Sequence, residues 1–290
     1  MQLDKTRIVI RPRSTSELLD LSLKICAIYF KPLLVLTALI AVPMMIVNEL
    51  LIGYMVAEEI SSYTIPSYVA VMALLVILEG PFATMATTVF LGRMMFLQKT
   101  EVSFVLKQIR QFLHRIFWSQ LCLRGVILGI VIVWNAREDD ELLGLLWFMT
   151  IVVIIIRMAR PYINEIILLE QNPFRKKSKG VITVRRRSSA LHSQSSGDLI
   201  ARWLMTAPAV IFMTVSLVLS LWFVQGVITN VWNWNWLVVR VYIPLAMWLA
   251  VIYTTVLRFV SYLDLRIRRE GWEVELKVQA AAEELRERFA

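Results

Sequence analysis

Six long apolar stretches constrain the fold of this chain more than any other feature. They lie at about 32–53, 68–91, 116–135, 142–161, 203–225 and 237–258. A helix needs about 20 apolar residues to cross the hydrocarbon core of a bilayer, so each stretch is long enough to span it. Hydrophobic residues make up 58% of the chain, whereas soluble domains contain about 45–50%. The sequence therefore predicts an integral membrane protein.

Basic residues predict the orientation of these spans. They collect in the N-terminal segment, after the second span, after the fourth span and in the C-terminal tail. These regions lie on one side of the membrane if successive spans cross it in opposite directions. The other side has Glu58 and Glu59, an acidic turn at 138–141 and the tryptophan-rich segment 230–236. Lysine and arginine collect on the cytoplasmic side of membrane spans, and the net charge of +9 fits this pattern. We expect both termini in the cytoplasm.

The predicted fold is all-α, a polytopic bundle of six transmembrane helices with interfacial helices on the cytoplasmic side. The spans form a single domain at 1–265, and a cytoplasmic C-terminal helix follows at 266–290. Ser14 and Glu17 have the spacing of a capping box, which predicts an amphipathic helix before the first span. Apolar residues at helical spacing predict a second one at about 101–115.

The only sizeable predicted loop, at 171–198, is strongly basic. Two interpretations of its charge are open: contact with anionic lipid headgroups, or a solvated determinant of topology. The candidate headgroup contacts are Arg175, Lys176, Lys177, Lys179, Arg185, Arg186 and Arg187.

Two ionisable residues fall deep inside predicted spans. Glu79 lies in the second span and Arg124 in the third, at similar distances from the outer ends. We expect them to pair near the midplane, beside a helix kink at Pro81, which lacks a backbone donor. The pair either fixes helix packing or belongs to a transport or proton-relay path, because a kinked, charged helix centre is where transporters often have a site.

Other charged residues are expected to meet near the membrane surfaces. Arg93, Glu165 and Arg258 are predicted at similar depth and form a candidate cluster at the inner interface. Glu49 and Arg240 form a candidate pair at the outer interface, where both side chains can reach water.

Motifs for catalysis or cofactor binding are missing from the sequence. It contains no phosphate-binding loop, no His-Glu-x-x-His, no Cys-x-x-Cys and no Gly-x-Ser-x-Gly. Its two histidines, His114 and His192, are far apart in sequence. We therefore expect no enzymatic activity, no cofactor, no metal site and no nucleic-acid partner. The expected partners are the lipid bilayer, including anionic headgroups, and other membrane proteins.

Several stretches resemble a known group of proteins. They are RPRSTSELLD at 11–20, Gly80-Pro81 with TVFLGR at 88–93, NEIILLE at 164–170 and YLDLRIRREGWEVE at 262–275. Together they are similar to bacterial multi-pass proteins related to the membrane domain of glycerophosphoryl diester phosphodiesterase. The resemblance implies a helical module in the bacterial cytoplasmic (inner) membrane. It does not imply phosphodiesterase activity, since the catalytic domain of that enzyme has no counterpart here.

Three hypotheses on function follow from the sequence. The first is a non-catalytic scaffold or accessory module for other envelope proteins. The alternative is a small transporter or channel that uses Glu79 and Arg124. A third is a lipid enzyme within the membrane, which requires a polar cavity open to the bilayer.

Overall fold

The computed structural model describes residues 11–57, 60, 64–95, 104–107, 109–110, 113, 117–118, 131, 133, 148, 151–155, 158–174, 182–193 and 195–270. These residues form an all-helical bundle without strands. Four helices are long and apolar enough to cross a membrane: Phe30–Val56, Thr64–Ala83, Ser196–Thr229 and Val238–Arg269. They coincide with four of the six predicted spans. The predicted span at 116–135 lies largely outside the described residues, and the span at 142–161 lies half outside them, so the count of six stays a prediction.

Eight α-helices are described, and we number them in chain order. They are α1 (Thr15–Ile28), α2 (Phe30–Ile52), α3 (Thr64–Ala83), α4 (Met85–Met95), α5 (Ile163–Leu168), α6 (Val184–His192), α7 (Ser196–Thr229) and α8 (Ile243–Glu270). A 3-10 turn at Gly53–Val56 extends α2, and a π-helical turn at Val238–Tyr242 leads into α8.

The helix α1 begins at the predicted capping box. The side chain of Ser14 accepts a hydrogen bond from the backbone of Glu17, whose carboxylate accepts one from the backbone of Ser14 at 2.8 Å. Two orphan donors of the first turn are thereby satisfied. Leu18 and Ile25, two turns apart on one face, are buried where α1 packs against α8. The first amphipathic segment is therefore a helix held against the bundle.

The second predicted span, 68–91, is not one continuous helix. The helix α3 ends at Ala83, and α4 begins after a turn at Thr84. Pro81 lies in the last turn of α3, where the proline ring and missing N–H disturb helical hydrogen bonding. A side chain binds one backbone carbonyl of this region, since the hydroxyl of Thr84 donates to the carbonyl of Gly80 at 2.8 Å. The span is thus interrupted three residues beyond the proline.

The predicted basic loop at 171–198 also contains a helix. The hydroxyl of Thr183 caps α6 by accepting from the backbone of Arg186 at 3.4 Å. Val184 and Leu191, seven residues apart, are buried on its inner face. The prediction of a simple loop was wrong here, because the apolar stripe is too narrow to stand out among the basic residues.

The last two long helices differ in their surroundings. The helix α8 is central: it packs against α1, α2, α3, α4 and α7, and Val256, Phe259 and Tyr262 are almost completely buried. The helix α7 is peripheral and exposes apolar side chains along its length, including Phe212 at 75% and Ile228 at 77%. An apolar surface of this size is stable in contact with lipid hydrocarbon but not in contact with water.

Candidate functional site

Charged residues gather around the C-terminal half of α8. Asp264 is completely buried and has three partners. Its carboxylate accepts from the backbone N–H of Arg13 at 2.8 Å and from the guanidinium of Arg202 at 2.5 Å. Arg268, one turn further along α8, donates to the same carboxylate at 2.9 Å and to the carbonyl of Arg13 at 2.5 Å. One carboxylate thus joins the N-terminal segment, α7 and α8.

Glu170, which follows α5, is the second carboxylate in this region. It binds the guanidinium of Arg187 on α6 through both carboxylate oxygens, at 2.5 and 2.9 Å. The hydroxyl of Tyr262 donates to it at 2.5 Å, and Arg266 lies 3.8 Å away. Burial raises the pKa of Glu170, but the hydrogen bonds from Arg187 and Tyr262 outweigh burial and hold the pKa below its usual range. Glu170 therefore fastens the segment before α7 to α8.

Glu165 on α5 is the third carboxylate. Its side chain is completely buried, and one oxygen accepts from Nε of Arg258 at 2.6 Å. Arg93, which the sequence placed in the same cluster, has its guanidinium over the ring of Phe104, 4.0 Å from the centroid. The structure thus brings Glu165 and Arg258 together. We use the name α8 charge cluster for Glu165, Glu170 and Asp264 with their arginine partners Arg187, Arg202, Arg258, Arg266 and Arg268.

Glu79 lies inside the bundle on α3 and is 2% exposed. The side-chain amide of Asn48 on α2 donates to its Oε2 atom at 3.0 Å. Among the described residues, neither Oε1 of Glu79 nor Oδ1 of Asn48 has a hydrogen-bond partner. Arg124, the predicted partner, lies outside the described residues. The contact with Asn48 was not predicted, because a single asparagine in an apolar span gives no pairing signal.

Near the break in the second span, α5 contacts the end of α3. The amide of Asn164 donates to the carbonyl of Pro81 at 3.0 Å. A side chain from a distant segment thus binds a backbone group beside the predicted kink.

A further ion pair lies at the other end of the bundle. The guanidinium of Arg240 donates to Glu49 at 2.5 Å, and the hydroxyl of Tyr68 donates to the same carboxylate at 3.2 Å. Both charged side chains are about one third exposed. The structure forms the contact that the sequence suggested for Glu49 and Arg240.

Tryptophans cover the end of α7 that is remote from the charge cluster. Trp222 stacks with Trp234 at a centroid distance of 6.2 Å and meets Trp232 edge to face at 5.7 Å. Trp232 also meets Phe223 at 5.8 Å. The arrangement has the composition of an aromatic belt, with its rings packed on one another.

His192 has a structural environment that its sequence context did not indicate. It is buried, and its ring stacks on Tyr162 at 5.6 Å. Nδ1 lies 2.7 Å from the carbonyl of Ser188, and the backbone N–H of Tyr162 reaches Nε2 at 3.5 Å. This pattern requires Nδ1 to donate and Nε2 to accept, so the ring joins α6 to the segment before α5.

The basic residues of the predicted headgroup surface divide into three groups. Arg175, Lys176, Lys177 and Lys179 lie outside the described residues. Arg185 and Arg186 are exposed on α6, as headgroup contact requires. The side chain of Arg187 forms an ion pair with Glu170 instead.

A cavity of about 470 Å³ lies beside the charge cluster, between α3, α7, α8 and the segment before α5, which contributes Ile154, Met158, Pro161 and Tyr162. Its walls are mainly apolar and include Ile77, Val210 and Leu257. Arg202 and Arg258 also line it, and each has one buried guanidinium nitrogen without a hydrogen-bond partner among the described residues. No group of three or more metal-binding side chains occurs in the described part of the chain.

Comparison with known proteins finds no match, whether to a family model, a curated protein or a solved structure.

Proposed function

We propose that this chain is a non-catalytic, multi-pass membrane module that acts as a scaffold or accessory subunit for other envelope proteins. One observation carries the proposal: each carboxylate of the α8 charge cluster is bound by arginines or backbone from another segment. Breaking such a buried pair by removing one partner is strongly destabilising. These carboxylates therefore hold segments together and are not free for chemistry on a substrate.

The proposed setting is the bacterial cytoplasmic membrane, with the charge cluster on the inside. Positive charge on this side agrees with the positive-inside rule, and the tryptophans at the opposite end of α7 agree with an outer interface. The resemblance to the phosphodiesterase membrane domain supports the same placement. Arg185 and Arg186, both exposed, are the proposed contacts to anionic headgroups in the described part of the chain.

The surface of α7 supports a role in assembly. The helix has 34 residues, or about 51 Å at 1.5 Å per residue, so it extends beyond a hydrocarbon core of about 30 Å. Only Leu199, Val218, Gln225 and Gly226 are buried along it. A helix with this much free apolar surface can pack against a neighbouring membrane protein without disturbing the bundle.

A photo-crosslinking experiment in living cells tests the proposal. A photoreactive amino acid replaces Phe212, which is 75% exposed, or Val218 on the same helix, which is 8% exposed. We expect discrete protein adducts from Phe212 and none from Val218. We also expect deletion of this chain to lower the assembly of the captured partner. Adducts to lipid alone, with unchanged assembly of other membrane proteins, would contradict the scaffold proposal.

A small transporter or channel is the second candidate, favoured by Glu79. This buried carboxylate has an oxygen without a partner among the described residues and lies close to the break at Thr84. Intramembrane ionisable groups mark transport paths in many proteins. The test is proton or solute flux into vesicles that contain the wild type or Glu79→Gln. A flux that the substitution abolishes supports transport, whereas equal flux from both proteins and from empty vesicles removes this candidate.

A further inference from the structure

The cavity beside the charge cluster is elongated along the helix axes. On α7 it extends from Leu199 to Ile211, which is about 18 Å at 1.5 Å per residue. On α8 it extends from Thr254 to Ser261, or about 10 Å on the same basis. The long axis of the cavity therefore runs in the direction in which a lipid acyl chain lies in a bilayer.

The two ends of this cavity differ in chemistry. Ile77, Val210 and Ile211 form an apolar wall away from the charges, whereas Arg202 and Arg258 line the end beside the cluster. Ile211 is 64% exposed and Trp203, also lining the cavity, is 37% exposed. The cavity thus borders the surface of α7 that faces outward from the bundle.

The polar end of the cavity has buried donors without acceptors. Nη1 of Arg202 and Nη2 of Arg258 are buried without a hydrogen-bond partner among the described residues. Around them, the guanidinium groups of Arg202, Arg258 and Arg268 face two carboxylates, those of Asp264 and Glu165. Asp264 is thus shared by two guanidinium groups, of which that of Arg268 is 41% exposed and lies outside the cavity lining. The two buried nitrogens have no acceptor in the described chain. A phosphodiester supplies one negative charge and several acceptor oxygens.

We propose that this cavity binds one anionic glycerophospholipid, with its phosphodiester at the free nitrogens of Arg202 and Arg258 and one acyl chain along α7. A volume of about 470 Å³ is within the usual range of small-molecule sites, roughly 300–1,000 Å³. The site is separate from the exposed Arg185 and Arg186, because it lies between helices. It does not depend on the scaffold proposal, which rests on contacts within the chain.

Native mass spectrometry of the purified full chain tests the site. The protein is placed in nanodiscs with equal amounts of phosphatidylglycerol and phosphatidylcholine of the same acyl chains, and the lipids that stay bound after release are identified. We expect one phosphatidylglycerol per chain, preferred about tenfold. Both lipids contain the same phosphodiester, but the positive choline of phosphatidylcholine would add to the positive charge of Arg202, Arg258 and Arg268. Equal retention of both lipids, or retention of neither, would overturn the proposal.

Two variants locate the bound lipid. Ala207→Phe puts a ring into the cavity wall, and Ala201→Phe makes the same change at an exposed position of α7 outside the lining. Arg258→Lys keeps a positive charge for Glu165 but removes the free guanidinium nitrogen. We expect Ala207→Phe to lose the retained lipid and Ala201→Phe to keep it. Arg258→Lys should retain less lipid than the wild type, because it loses a donor to the phosphodiester.

A crosslinking measurement on the wild type keeps the proposal falsifiable if a variant does not fold. Phosphatidylglycerol with a photoreactive group at the end of one acyl chain is incorporated into the nanodiscs. We expect adducts on the peptide that contains Ile77, since Ile211 is 64% exposed and bulk lipid can reach it without entering the cavity. Adducts confined to other lipid-facing peptides, or unchanged retention in a folded Ala207→Phe protein, would contradict the site.

Discussion

At the residue scale, buried polar groups determine how each helix is placed. The pair of Asn48 and Glu79 shows the principle, since both side chains are 2% exposed or less. A buried donor left without an acceptor costs about 1–3 kcal/mol, whereas an exchange that keeps the hydrogen bond costs little. We therefore expect the hydrogen bond between Asn48 and Glu79 to stabilise the fold, whether or not the carboxylate also has a role in transport.

We expect Glu79→Gln and Glu79→Leu to differ in stability. Glutamine keeps an oxygen that accepts from the amide of Asn48, so the free energy of unfolding should change by less than about 1 kcal/mol. Leucine leaves that amide without an acceptor and should cost about 1–3 kcal/mol. Unfolding in detergent micelles measures the difference. Equal losses in the two variants would show that the hydrogen bond does not stabilise the fold.

The lowered pKa of Glu170 predicts acid sensitivity. A carboxyl whose folded pKa lies below its unfolded value, about 4.3 for glutamate, stabilises the fold above that unfolded value. This contribution is lost as the pH falls through the folded pKa. We expect Glu170→Gln to lower the free energy of unfolding near neutral pH and to show a smaller further loss on acidification than the wild type.

Unfolding in micelles over a series of pH values measures this effect. Asp198→Asn, a change at an exposed acidic residue of α7, is the matched control and should follow the wild type. A Glu170→Gln protein with the full acid dependence of the wild type would contradict the assignment.

At the element scale, close packing fixes the tryptophans against α7. A Cβ atom at Gly226 would come within 2.6 Å of the Trp232 ring, whereas one at Gly197 on the same helix would meet nothing within 4 Å. The Trp232 ring contacts Trp222 and Phe223, so a shift of this ring would disturb both contacts.

We expect Gly226→Ala to destabilise the protein by about 1–3 kcal/mol through overpacking. Gly197→Ala should be neutral or stabilising by up to about 1 kcal/mol, because alanine loses less conformational entropy in a helix. Thermal unfolding and the near-ultraviolet circular dichroism of the tryptophans measure both variants. A Gly226→Ala protein as stable as Gly197→Ala would refute the packing.

Hydropathy predicts some elements of this fold and misses others for physical reasons. The helices α2, α7 and α8 contain predicted spans, because a helix that crosses lipid can be recognised from its length and apolar composition alone. The turn at Thr84 between α3 and α4 was missed, since the sequence indicates a kink at Pro81 without showing at which residue the helix is interrupted. The helix α6 was missed because it contains few apolar residues, and its stability depends on contacts such as that of Arg187 with Glu170.

At the scale of the whole molecule, charge and aromatic residues separate to opposite ends. The α8 charge cluster joins the N-terminal segment, α5, α6 and α7 to α8 at one end, and the tryptophans pack at the other. Segregation of basic residues was visible in the sequence. The sequence did not show which residues bind each carboxylate. Asp264 was not predicted as a site residue, because its partners Arg13 and Arg202 are 251 and 62 residues away in the chain.

The central claim is that these two ends lie on opposite sides of a membrane, and cysteine labelling in whole cells tests it most directly. Single cysteines replace the exposed residues Arg186 and Asn233 in a chain whose Cys26 and Cys122 are changed to alanine, and cells are treated with a membrane-impermeant maleimide. We expect Asn233→Cys to be labelled in intact cells and Arg186→Cys to be labelled only after permeabilisation. Labelling of both positions in intact cells, or of Arg186→Cys alone, would contradict it.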